Sequence, residues 1–309
     1  MKIGLLFPGQ GAQYVGMGKE LYENYGEARD VFDKANAVLG FDLKKIVFEG
    51  PEETLRQTQY TQPAIFVTSV AAFKVFSTLF PLTEGQCLCA GHSLGEYSAL
   101  AAANVFTLEQ GLGLVKARGE YIQKVSENNP GTMAAILGLD IPVVKELCAK
   151  ASAEAVNFNS AGQIVIAGTA EAVQKAIVLA QEAGATKAIP LSVSGPFHSS
   201  LMTPASEMMK EELAKTSLAA PRFPVITNCD AQLTTDAQSI AGKLTRQINS
   251  PVLWEDSVKL MIAQGTDTFI EIGPGRVLSG LMRRIDKTKR TMNIEDKKSL
   301  DKTIESLKS

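Results

Sequence analysis

Five consecutive residues, Gly91-His92-Ser93-Leu94-Gly95, form the G-x-S-x-G string in which a serine hydroxyl can act as a nucleophile. An apolar run over 86–90 enters the string and a helical pattern over 95–103 leaves it, the strand–turn–helix setting that such a serine requires. The glycines permit a tight turn that pushes the side chain outward. The helix start beyond it offers free N–H groups to developing negative charge. The plainer reading makes Ser93 only a helix cap. A serine hydroxyl needs a base, and the chain has two histidines. His92 adjoins Ser93 on the turn and points away, which leaves His198, in Ser194-Gly195-Pro196-Phe197-His198. A third group must orient that imidazole; Asp230, Asp236, Asp256 and Glu271 are all available, and spacing does not choose among them.

Two further features sit in suggestive places. Arg118, in Val115-Lys116-Ala117-Arg118-Gly119, follows the elbow by one helix. An arginine there is ordinarily a surface residue; facing a pocket, its fork would grip a carboxylate at two points. The turn Phe7-Pro8-Gly9-Gln10-Gly11 fails as a nucleotide loop, because Tyr14 replaces the third glycine and no P-loop lysine follows. At the C-terminal end of a strand it would instead bring backbone N–H groups to the catalytic edge of a sheet.

The elements that must hold these residues read as α/β. Short apolar runs at 2–7, 86–90, 224–228 and 268–272 alternate with helical periodicity at 19–24, 28–39, 63–80, 107–125, 198–215, 236–248 and 255–264, the pattern of a mostly parallel sheet. Between Asn128 and Gly195 the rhythm changes. Strands at 133–139, 155–159, 163–167 and 187–193 and helices at 142–151 and 171–184 follow the order β-α-β-β-α-β of a ferredoxin-like unit. The expected organisation is a large domain over 1–128 and 195–309 and an inserted small subdomain over 129–194.

Composition excludes other classes. With 45% apolar and 21% charged residues the chain is neither disordered nor fibrous, and a net charge of −2 gives no global attraction to nucleic acid. Four cysteines without a C-x-x-C pair and two histidines cannot assemble a zinc set, so no metal is expected. Sparse cysteines in apolar settings fit reduced thiols and a cytoplasmic location. The apolar N-terminal stretch ends at Pro8 and is too short for a signal peptide, and Lys74 and Glu96 break the longest apolar windows, so no membrane span is expected. Charge is uneven: 283–309 holds nine Lys/Arg against five Asp/Glu on an otherwise acidic chain.

Taken together the motifs resemble one family, the malonyl-CoA:acyl carrier protein transacylases and the acyltransferase domains of polyketide synthases. The strings that carry the likeness span nearly the whole chain. They are Phe7–Gln13, Gly91–Tyr97, the Val115–Arg118 helix, Gly195–His198, Gln247–Trp254 and Glu271–Gly275. The resemblance implies an α/β-hydrolase-like large domain with a ferredoxin-like insert. It implies Ser93 as nucleophile, His198 as base, and the backbone carbonyl of Gln247 in place of a carboxylate behind the histidine. Arg118 would hold the malonyl carboxylate, the N–H groups of Gln10 and Leu94 would form the oxyanion hole, and Phe197 matches the malonyl-selective pattern. It also implies a monomer without cofactor whose partners are malonyl-CoA and an acidic acyl carrier protein, for which Arg283, Arg284, Lys287, Lys289 and Arg290 form a candidate docking patch. Fatty acid synthesis is the expected pathway and polyketide assembly its alternative. Two other classes compete: a serine hydrolase that passes the acyl group to water, and a docking module without turnover.

Overall fold

Two sheets of opposite character organise the chain. The computed structural model describes residues 2–308, so Met1 and Ser309, the outer limits of the expected large domain, lie outside the described residues. The strands are β1 (Ile3–Phe7), β2 (Cys87–Gly91), β3 (Thr132–Leu137), β4 (Glu154–Ser160), β5 (Gln163–Gly168), β6 (Lys187–Pro190), β7 (Val225–Ile226), β8 (Leu233–Thr234), β9 (Thr268–Ile272) and β10 (Arg290–Ile294). The larger sheet has the order β10-β9-β1-β2-β7-β8 and is parallel except for β8. The smaller has the order β4-β5-β3-β6, with every pairing antiparallel.

β1 shows why the large sheet lies inside the protein. Leu5 and Phe7 join the apolar cluster on one face and Leu6 the cluster on the other, and all five residues are buried. A strand buried on both faces must be apolar throughout, and helices must cover both sides. In register, Phe7 faces Gly91. The chain therefore leaves β1 and β2 at adjacent points, where Pro8–Gln10 and His92–Leu94 meet.

The small sheet and its helices, Ile141–Ala151 and Ala170–Glu182, build a core of their own around Ile136, Val144, Ile164 and Ile177. β4 is bonded to the large unit: Val252 N–H donates to Val156 O at 2.8 Å and Phe158 N–H to Val252 O at 2.9 Å. This stitching holds the inserted sheet over the edge where Ser93 emerges.

Some elements differ from the sequence expectation. The helix read as 63–80 runs Thr58–Leu79, with Pro63 inside it. It is long and apolar enough to cross a membrane, with a mean hydropathy of 1.3, yet 78% of its apolar window is buried within the protein. It is a core helix, apolar all round because it is surrounded. The helix expected from 198 begins with a tight turn at Ser200 and continues as Thr203–Ala214; His198 precedes it with φ of 63°. Leu43–Glu49, Val277–Ile285, Lys297–Lys308 and β10 lie outside the elements read from the sequence, although Val277–Ile285 and Lys297–Lys308 are amphipathic and bury Leu278, Leu281 and Met282 and Leu300 respectively. β10 lies on the sheet edge with only Ile294 buried, so it needs no apolar run.

Candidate active site

The serine stands on a backbone that few residues tolerate. Ser93 has φ of 52°, in the left-handed region. A β-carbon on Gly91 would lie 1.9 Å from Gly95 C, and one on Gly95 would lie 2.0 Å from Phe7 O. Both positions must therefore be glycine for the elbow to close against β1. Asn228, just after β7, holds the turn: its Oδ1 accepts from Ser93 N–H and its Nδ2 donates to Gly91 O, each at 2.7 Å. A residue held at positive φ costs about 1–3 kcal/mol and persists only where its surroundings over-determine it. Asn228 supplies that determination.

His198 reaches the hydroxyl. Ser93 Oγ lies 2.7 Å from His198 Nε2, and His198 Nδ1 lies 2.8 Å from the carbonyl oxygen of Gln247. Because a carbonyl can only accept, Nδ1 carries the proton and Nε2 offers its lone pair to the Ser93 O–H. None of the four carboxylates left open by spacing plays this part. Asp230 pairs with Lys243, Asp236 caps Ala237–Gln247, Asp256 is exposed, and Glu271 accepts from the N–H groups of Leu278 and Ser279.

Arg118 is not at the surface. It is 2% exposed. Its Nη1 donates to Gln62 Oε1 at 2.8 Å, and its Nη2 donates to Gln247 Oε1 and to Ser93 Oγ, both at 3.1 Å. The ion pairs among the described residues do not include it. A buried cation held by neutral acceptors is a receptor waiting for an anion. These groups open into a cleft of about 510 Å³ between the two sheets, lined by Gln10, Gln62, Ser93, Arg118 and His198 from the large unit and by Met133, Asn157 and Leu191 from the insert. Phe197 also lines it. Among the described residues no partner engages the backbone N–H of Gln10 or of Leu94.

Comparison with known proteins decides the family. Residues 5–306 match the model of the acyl transferase domain. The chain belongs to the acyl transferase family. The malonyl CoA-acyl carrier protein transacylase of Bacillus subtilis (strain 168) is 44% identical over 99% of this chain and 98% of its own. An acyl carrier protein S-malonyltransferase from Vibrio cholerae superposes with a TM-score of 0.94 at 44% identity, covering 98% of this chain and all of the other. A malonyl-transacylase solved in complex with a type II PKS acyl-carrier protein superposes at 0.95 with 39% identity, covering 99% and 100%. The two-sheet α/β architecture is that of these structures.

Within this acyl transferase, burial sets the charge states. Burial first, and the Arg118 guanidinium second, push His198 down to about 3, against the pull of its Gln247 hydrogen bond. The imidazole is thus neutral at any ordinary pH, with the Nε2 lone pair directed at the Ser93 hydroxyl. Glu96, fully buried behind the elbow, is pushed by burial up to about 7, although hydrogen bonds from Asn228 N–H and Gln247 Nε2 pull the other way. Gln247 joins these groups. Its carbonyl orients His198, its Oε1 accepts from Arg118, and its Nε2 donates to Ser93 O at 2.8 Å and Glu96 at 3.0 Å.

Gln62, Glu96, Asn159 and Asn228 went unseen in the sequence. Asn159 Oδ1 accepts from His92 Nε2–H at 2.8 Å, which turns that histidine away from Ser93 and onto the insert. Only Glu96 had a signal, as the residue following Gly95. Arg283, Arg284 and Lys287 are exposed at the end of Val277–Ile285, where Arg284 donates to Gln163 of the insert. Arg290 opens β10, paired in register with Thr268, and its guanidinium is taken by Ser306.

Proposed function

We propose that this chain is a malonyl-CoA:acyl carrier protein transacylase of fatty acid biosynthesis, with Ser93 as nucleophile and His198 as base. The observation that carries this reading is one oxygen with two neighbours: Ser93 Oγ contacts both the neutral His198 imidazole and a buried guanidinium that forms no ion pair among the described residues. The first suits acyl transfer. The second suits an acyl group that ends in a carboxylate. The relatives bear the name of the same enzyme.

In this mechanism Ser93 Oγ attacks the thioester carbonyl of malonyl-CoA while its proton passes to His198 Nε2. The N–H groups of Gln10 and Leu94 receive the oxyanion, a contribution of about 3–4 kcal/mol for each such donor. Arg118 holds the malonyl carboxylate. Phe197, on the cleft wall, limits branching at the α-carbon. The tetrahedral intermediate collapses, the proton goes to the departing coenzyme A sulfur, and a malonyl-serine ester remains. The phosphopantetheine thiol of the carrier then attacks the ester through the same steps. A carbonyl behind His198 supports the imidazolium less than a carboxylate would, which suffices for a reactive thioester.

For carrier docking we propose the basic patch Arg283, Arg284, Lys287, Lys289 and Arg290, of which Arg284 reaches Gln163 of the insert. Charge reversal should raise the carrier's KM without changing that for malonyl-CoA. Free thiols fit a cytoplasmic location, testable by fractionation, and we propose a monomer, testable by sedimentation.

Intact-mass spectrometry tests the core of the proposal. Mixing with malonyl-CoA should add one malonyl group, which Ser93→Ala abolishes and holo carrier removes. Loss of the adduct to water at the same rate without carrier would make the chain a hydrolase. An unshifted mass would leave only a docking module.

A further inference from the structure

The bond from Arg118 Nη2 to Ser93 Oγ has a cost for catalysis. The serine oxygen gives its proton to His198 and one lone pair to Arg118, so half of its nucleophilic density faces a cation. When the proton moves to Nε2, an imidazolium forms within about 6 Å of that guanidinium, since both are bonded to the same oxygen. Resting on the reading of Arg118 as the carboxylate site, we propose that the substrate's own carboxylate switches on the Ser93–His198 pair. By drawing the guanidinium onto itself it frees the serine lone pair that must attack the carbonyl.

The surroundings favour this exchange. Arg118 is held by neutral oxygens of Gln62, Gln247 and Ser93, each of which a carboxylate outcompetes. Among the described residues its buried Nε has no hydrogen-bond partner, and three of its five N–H donors are engaged. In the step itself the Oγ–C bond forms, the C–S bond breaks, and the Oγ proton passes through Nε2 to the thiolate. No group beyond the substrate is needed. A neutral acyl-CoA, such as acetyl-CoA, binds through the same coenzyme but leaves the guanidinium in place. Releasing the lone pair against a charge-assisted hydrogen bond slows the step by roughly tenfold to a hundredfold.

The discrimination should therefore lie in the limiting acylation rate, not in binding. Rapid-quench acylation of the full chain, read by intact mass over a range of donor concentrations, separates the two. The expected limiting rate for acetyl-CoA is at least about tenfold below that for malonyl-CoA. Formate, at concentrations that compete with malonyl-CoA, should raise the acetyl rate by about tenfold, because formate and an acetyl group together supply what malonyl carries in one piece; chloride at equal ionic strength should not. Equal limiting rates, or a slow acetyl rate that formate leaves unchanged, overturn the switch while the carboxylate site stands. If Arg118→Gln loads malonyl-CoA as fast and as tightly as the native chain, the carboxylate site itself is wrong.

Discussion

Asn228→Ala is the substitution that probes the elbow most directly. It leaves the residues that touch substrate in place and removes only the side chain that clamps the turn. Two buried groups lose their partners: Ser93 N–H, which donates to Oδ1, and Gly91 O, which accepts from Nδ2. Each unpaired buried group costs about 1–3 kcal/mol, so the fold should lose about 2–6 kcal/mol. At about 2 °C per kcal/mol for a chain of this size, the melting temperature should fall by about 4–12 °C. The backbone N–H of Asn228 still donates to Glu96, so the strand end stays anchored. The site should suffer beyond the fold. Without its clamp, Ser93 can relax from φ of 52° towards the ordinary region, which carries its hydroxyl away from His198. A displacement near 1 Å costs about 10²-fold in rate. Malonyl loading should be followed by rapid-quench mass spectrometry at 20 °C, with circular dichroism confirming that the variant is folded. A folded variant that loads malonyl within threefold of the native rate would show that glycines and helix hold the elbow unaided, and the role assigned to Asn228 would fall.

Other perturbations test other parts of the site. Glu96→Gln keeps the accepting oxygen and removes the charge. Since the native group rises from 4.5 to about 7 on folding, the native chain should lose stability relative to the variant as pH climbs through that window, by about 3 kcal/mol, and the difference should level off above it; parallel urea titrations at several pH values measure this. In Glu96→Gln the loading rate should show no acid limb near pH 6.5, because His198 stays neutral down to about 3; a limb there, with the His198 ring titrating near 6.5 by NMR, would refute that assignment. Gln247→Ala leaves the carbonyl behind His198 but removes the links to Arg118, Ser93 O and Glu96, and malonyl loading should drop about 10- to 100-fold with the fold retained. Burial pushes the thiols of Cys87 and Cys148 up to about 11 and about 12, so iodoacetamide at pH 8 should label neither before denaturation and should leave activity intact, as scored by peptide mapping.

Much of this was written in the chain order of residue types. The elbow is legible because only glycine can occupy positions 91 and 95 when a strand turns sharply into a helix over a neighbouring strand, and that local demand leaves a local signature. The change from long helical periods to β-α-β-β-α-β is equally local, since periodicity records which face of an element is buried. His198 was found by scarcity, there being only one other histidine. What stayed hidden was every group whose role depends on being brought near from a distance. A backbone carbonyl at 247 has no residue type to announce it. Asn228 and Gln62 look like any amide in a strand end or helix. Arg118 reads as solvent-facing until the packing of Thr58–Leu79 against its helix shows that it is enclosed. Local sequence determines conformation through sterics and burial, whereas hydrogen-bond partners 100 residues or more away are chosen only when the sheets stack, and the charge states of Glu96, Arg118 and His198 follow from that enclosure.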